Sequence, residues 1–73
     1  MKTDKGTELP PDFAAALDHQ PHLLHVLDQM RPSCQLGYVQ YIGAAADDDV
    51  RRQRIERTLT KIAKWGARHD LID

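Results

Sequence analysis

Seventy-three residues at a formal net charge of −1 allow one small domain and exclude a chain that draws in polyanions by net charge alone. A single cysteine excludes an internal disulfide. Aromatics at 5% and few β-branched residues favour helix over sheet, and no apolar run approaches the length of a membrane span.

The expected fold is all-α, a compact small bundle of about four short helices. Residues 1–8 are polar, contain Gly6 and show no periodicity. They read as a disordered N-terminal tail, because they carry too little apolar surface to offset the entropy of ordering. They also lack the apolar core of a secretory signal, so a cytoplasmic location is expected. The helical domain is expected over residues 9–69, followed by a short C-terminal tail at 70–73.

Leu9-Pro10-Pro11-Asp12 opens the first helix. A proline in the first turn wastes no amide proton, and Asp12 suits the positive end of the dipole. Phe13, Ala16 and Leu17 then give one short apolar face. Pro21 opens the second helix, with Leu23, Leu27 and Met30 as its stripe and Leu24 beside it. His22, His25 and Gln29 lie opposite. Arg31-Pro32-Ser33 ends that helix and starts the third. Leu36, Val39, Ile42 and Ala46 are expected to line its buried face, flanked by Tyr38 and Tyr41. Asp47-Asp48-Asp49 marks the fourth start, where carboxylates cap free amides and oppose the dipole. This helix is expected from about Asp48 to about Arg68. Ile55, Leu59 and Ile62 form its stripe, and Gly66 continues the same face.

Two sets of cations on the fourth helix bear on function. Arg51 lies about 40° from Ile55 on the helical wheel and so borders the core. It is expected to be a structural arginine, paired with Asp12 or with the acidic run, because partly buried arginines usually find a carboxylate. Arg54, Arg57, Lys61, Lys64 and Arg68 recur at three- and four-residue steps and form the candidate interaction surface. A stripe like this can grip phosphates, and it equally suits a solvated helix end. Trp65 beside it is expected to cover the edge of the core rather than to stack on a base.

Other chemistry finds less support. His19, His22 and His25 are spaced by three, with Cys34 further on. Pro21 separates His19 from the other two, and no second cysteine follows, so neither a metal nor any other cofactor is expected. Cys34 sits in a first helical turn, where the dipole lowers a thiol pKa. A nucleophile also needs a base and an oxyanion donor, and no local signature supplies them. Cys34 is therefore expected to be a small, partly buried residue. No paired carboxylates or cofactor loop appear, so the chain is not expected to be an enzyme.

Four segments in order carry a family resemblance. Leu9-Pro10-Pro11-Asp12-Phe13-Ala14-Ala15-Ala16-Leu17 resembles the opening of the YdeI/OmpD-associated (bacteriocin-protection) family domain. Pro21 with Leu27 and Met30 is similar to its second helix. Pro32-Ser33 and Tyr38-Val39-Gln40-Tyr41-Ile42 resemble its third. Arg51, Arg54 and Ile55 fall at its Thr-Arg-x-x-Arg-Ile helix start. The resemblance runs from residue 9 to about 65. Ala45-Ala46 stands where the family has Ala-Lys, Val50 replaces a threonine, Tyr41 stands at a common tryptophan position, and Cys34 replaces an acidic helix-start residue.

The resemblance implies a helical module tied to bacterial envelope traits, namely association with an outer-membrane porin and protection against bacteriocins or antimicrobial peptides. The expected function is a non-catalytic interaction module with a protein partner linked to the envelope. The alternative is nucleic-acid binding through the basic face of the last helix. Nucleic acid is not the expected partner, because the net charge is −1 and acidic residues flank the stripe at both ends.

Overall fold

The computed structural model describes residues 1–69, and the C-terminal tail expected at 70–73 lies outside the described residues. Four helices follow one another: α1 (Pro11–Asp18), α2 (Pro21–Gln29), α3 (Pro32–Gly43) and α4 (Asp48–Arg68). Each of the first three begins on a proline and has no side-chain cap. The ring supplies a helical φ and removes one amide that would otherwise lack a partner. At α4 a side-chain cap takes over. Asp47 accepts from the Val50 amide at 2.9 Å, and Asp48 and Asp49 fill the first turn.

The long α4 is the helix against which α2 and α3 pack, and α1 packs on α2. Phe13, Leu17, Leu23, Val26, Leu27, Ile42 and Ile62 are fully or almost fully buried and form one core with Leu9, Ala14, Met30 and Ile55. Leu59 and Val39, expected in the core, lie half-buried at its margin. No described helix is long and apolar enough to cross a membrane.

The third helix turns a different face inward from the expected one. Leu36 is 49% exposed, and Ala46 is exposed and lies beyond the helix end. Gln35 is fully buried instead, with Ile42 and the half-buried Tyr38 on its side. Its amide nitrogen donates to the Leu27 carbonyl at 2.7 Å and the Met30 carbonyl at 3.2 Å. Those carbonyls end α2, where the last turn of a helix leaves acceptors without partners. A buried amide with all its bonds made is stable where an unpaired one is not. Cys34, expected to be partly buried, is exposed.

Residues 1–8, expected as a disordered tail, instead lie against α2 and α3. Gly6 takes a left-handed φ of +88° and closes a turn by donating its amide to the Thr3 carbonyl at 2.9 Å. Thr3 is buried, and its hydroxyl donates to Gln35 Oε1 at 2.7 Å. Lys5 Nζ donates to the carbonyls of Asp28 at 2.6 Å and Met30 at 2.9 Å. Helix α2 has no basic residue in its last turn, so Lys5 brings the cation that its C-terminus favours. The segment is held by polar groups meeting specific acceptors rather than by apolar burial.

Candidate functional site

Helix α4 carries almost all the arginine of the chain, and the structure uses it in two ways. Near its start, Arg51 forms a two-pronged ion pair with Asp12 of α1: Nε donates to Oδ2, and a terminal nitrogen donates to Oδ1 at 3.1 Å. Asp12 also accepts from the Phe13 amide at 2.9 Å. The Arg51 bond holds the Asp12 carboxyl below its ordinary range, partial burial opposes this, and the Phe13 amide adds to the lowering. The same bond raises the Arg51 guanidinium. The arrangement ties α1 to α4 across 39 positions of sequence. The next residue, Arg52, pairs with Asp49 one turn back at 2.9 Å on the open surface.

Arg54 is also used inside the fold. It donates to the Tyr41 carbonyl at 2.7 Å, near the C-terminus of α3, and its guanidinium lies 4.7 Å from the Tyr41 ring centre. Cation and ring attract through the ring quadrupole. Arg54 is half-buried, so this member of the expected interaction surface serves the α3–α4 contact. The free part of the row begins at Arg57.

Arg57, Lys61, Lys64 and Arg68 are exposed. Ion pairs among the described residues join Met1 to Glu8, Arg51 to Asp12 and Arg52 to Asp49, so none of these four cations has an ion-pair partner among the described residues. Lys61 Nζ stands 5.7 Å from the Tyr41 ring centre. At the far end Trp65 is half-buried against the core and stacks on His69 with ring centres 4.1 Å apart. Tyr38, Lys61, Lys64, Trp65 and Arg68 line one shallow hollow. Burial pushes the Tyr38 phenol up, with Cys34 nearby adding to it, so its hydroxyl stays neutral.

A second, larger groove runs between α1 and α4. Ala16, Ile55 and Leu59 are among its lining residues, with the Asp12–Arg51 pair beside them. Asp12 and Arg51 satisfy each other there, Arg52 is paired with Asp49, and Asp48 and Glu56 line the groove without an ion pair among the described residues. His22, His25 and Cys34 are all exposed, and the described residues contain no cluster of three potential metal ligands.

Sequence reasoning finds the cations and Trp65 beside them, but not that Tyr38 and Tyr41 meet the row. In the sequence Tyr38 and Tyr41 are only flanks of the α3 stripe. That they meet the basic row depends on how α3 crosses α4, which local periodicity does not contain.

The model of the bacteriocin-protection, YdeI or OmpD-associated family matches residues 7–64. No curated protein and no solved structure matches the chain. The matched span takes in all of α1, α2 and α3 and most of α4, including the Asp12–Arg51 pair and the buried Gln35. Thr3, Lys5, Trp65 and Arg68 fall outside it. With four-fifths of its length inside the match, the chain belongs to the bacteriocin-protection, YdeI or OmpD-associated family.

Proposed function

We propose that the chain is a non-catalytic bacterial interaction module that docks a protein partner on the outer face of α4. The observation that carries this reading is the contrast within one helix. Arg51, Arg52 and Arg54 are each held by a group of the same chain, whereas Arg57, Lys61, Lys64 and Arg68 meet no carboxylate among the described residues. A row of free cations on a rigid helix favours an acidic surface and steers its approach. The buried polar side chains point the same way. Gln35, Thr3 and Thr58 all have partners inside the fold, so none is left aimed at a substrate. The family's description as bacteriocin-protection supports a role of that kind, and the reading is a cytoplasmic module acting through an envelope-linked protein.

Capture from a native bacterial lysate tests this, with the wild-type chain and a Lys61→Glu/Lys64→Glu variant side by side. A partner held by the wild type and lost by the variant is expected. Identical captured sets from both would remove the α4 face from the function.

Nucleic-acid binding is the second reading, favoured by Trp65 at the end of the row. Three aspartates at the start of α4 and the net charge of −1 oppose it. Fluorescence anisotropy with duplex and single-stranded oligonucleotides at two salt concentrations separates the two. The expected result is weak association at low salt that vanishes at physiological salt. Submicromolar binding that persists there and is abolished by Arg57→Glu and Lys61→Glu would make the ligand a nucleic acid.

A further inference from the structure

The basic row runs beside an aromatic edge that charge alone does not use. Tyr38 from α3 and Trp65 from α4 are both half-buried, and Lys61, Lys64 and Arg68 stand around them. Trp65 is held on one side by the core and on another by the His69 ring. Tyr41 is already covered, by Arg54 at 4.7 Å and Lys61 at 5.7 Å. The open aromatic surface is therefore the single hollow at Tyr38 and Trp65. Arg57, Lys61, Lys64 and Arg68 fall within about 60° of the helix circumference and span about 16 Å of its length.

Such a surface fits a ligand with a row of anions and one apolar group set off from the row. Single-stranded nucleic acid and an acidic helix both have that outline. Three observations favour the helix. The cations step by four, three and four residues, the repeat of one face of another helix, so facing carboxylates keep register along the whole row. A strand of nucleic acid uses successive stacking platforms, and among the described residues Tyr38 and Trp65 offer one such hollow beside the row. Asp49 lies about 12 Å along the axis from Arg57, beyond the screening length of about 8 Å at physiological salt. A short acidic helix ends before that acidic cluster, whereas a long polyanion runs into it.

We propose that the outer face of α4 binds an acidic amphipathic helix of a partner protein, with the partner's carboxylate row on Arg57, Lys61, Lys64 and Arg68 and one of its apolar side chains seated between Tyr38 and Trp65. This rests on the reading of α4 as the docking face and adds the partner's chemistry. Exposed ion pairs each contribute little, so the apolar anchor supplies most of the discrimination among acidic segments.

The chain contains one tryptophan, so Trp65 fluorescence reports occupancy of the hollow directly. One probe is a helix-forming peptide with glutamates at i, i+4, i+7 and i+11 and a single leucine beside that row. A second has serine in place of the leucine, and a third is an oligothymidylate of similar length. At physiological salt the leucine peptide is expected to shift Trp65 emission saturably. The serine peptide is expected to bind roughly tenfold more weakly, the worth of burying most of one leucine. Lys61→Glu/Lys64→Glu, at two exposed positions, should abolish binding with the helical circular dichroism unchanged. Equal binding of the leucine and serine peptides would remove the anchor but leave the docking face. Tighter binding of the oligothymidylate would overturn the peptide in favour of nucleic acid. No emission change with the leucine peptide, or one that survives the charge reversal, would overturn the proposal outright. Capture from lysate, judged separately, decides whether the face still docks another kind of protein.

Discussion

The two halves of α4 carry the same kind of residue to different ends. In the first half Arg51 reaches Asp12, Arg52 reaches Asp49 and Arg54 reaches the Tyr41 carbonyl. In the second half Arg57, Lys61, Lys64 and Arg68 are exposed and unpaired among the described residues. The steps differ, one and two residues in the first half against four, three and four in the second, and so do the neighbours that the side chains reach. The first half passes α1 and the end of α3, which present acceptors. The second half presents its cations where Glu56 shares a hollow with Arg57, Lys61 and Lys64 but no described carboxylate forms an ion pair with them. A charge on a helix thus becomes architecture or interface according to what the other helices place beside it, and the two halves should respond to substitution very differently.

The sharpest break is between neighbouring residues of the second half. Ile62 is fully buried and Lys61 is exposed. Ile62→Ala should lower stability by about 2–5 kcal/mol through lost burial and a cavity. Urea unfolding followed by circular dichroism measures it. Lys61→Ala should leave the midpoint unchanged while weakening any docking. If Lys61→Ala proved as costly as Ile62→Ala, the cation row would belong to the fold and the contrast would fail.

The helices were legible because local chemistry marks them. Pro11, Pro21 and Pro32 and the Asp47–Asp49 run each stand at a helix start, and the stripes of α1, α2 and α4 follow the helical period. The α3 face was not legible, since its apolar residues occur all round and give no direction. Leu36 was expected inside and is exposed, whereas Gln35 was passed over and is buried. A glutamine reads as a surface residue until its partners are known, and those partners are the end of α2 and Thr3. Thr3 in turn was unreadable because its segment has no apolar pattern. Each of these two misreadings conceals the other. At the candidate site the cations were legible from spacing alone, and burial and charge left Asp12 and the acidic run as alternative partners for Arg51, of which the structure shows Asp12. The split between used and free cations was not legible, because it depends on backbone groups such as the Tyr41 carbonyl.

Gln35 offers the next largest effect and a control on the N-terminal segment. Gln35→Ala removes its bonds to Leu27, Met30 and Thr3, and should cost about 1–3 kcal/mol, because three buried bonds are lost and the Thr3 hydroxyl is left without its acceptor. Thr3→Val removes only the hydroxyl and should cost less, with a measurable fall in melting temperature. Amide relaxation of residues 3–7 should show order on the ps–ns scale, and Thr3→Val should loosen it. Full mobility of these amides in the wild type, with no change on Thr3→Val, would detach the segment from the fold and leave Gln35 bonded to α2 alone.

A smaller effect separates the first half of α4 from the second. Arg51→Ala should lower the melting temperature measurably, because it breaks the α1–α4 pair and leaves Asp12 without its strongest partner. Both side chains are partly exposed, so water and salt screen the pair and keep the loss below that of either core change. Arg57→Ala should do nothing to stability. A double-mutant cycle with Asp12→Ala isolates the coupling. Equal and negligible effects from Arg51→Ala and Arg57→Ala would dissolve the distinction between the halves and return Arg51 to the ligand-binding candidates.

The smallest effect is the acid dependence of the same pair, and its sign follows from the carboxyl. Asp12 is held below its ordinary value of 3.8, first by the Arg51 bond, with burial opposing and the Phe13 amide assisting. A group whose folded pKa is depressed binds fewer protons in the folded state than in the unfolded one. Its contribution is therefore complete above the ordinary value and is lost as pH falls from there through the lower folded value. Arg51 stays charged throughout and adds no slope of its own. Other carboxylates titrate in the same window, so the wild-type curve alone does not assign the effect. The informative quantity is the difference between wild type and Asp12→Asn, followed by melting temperature from pH 7 to pH 2. It should be constant at neutral pH and shrink once the pH drops below about 4, because the variant has no proton to take up there. Arg51→Gln should shrink it in the same range, since the same bond is lost from the other side. Added salt should compress the neutral-pH difference without moving the acid range in which it disappears. Parallel curves for wild type and Asp12→Asn down to the acid limit would mean that the α1–α4 pair contributes nothing to folding, and the first half of α4 would then be as free to bind as the second.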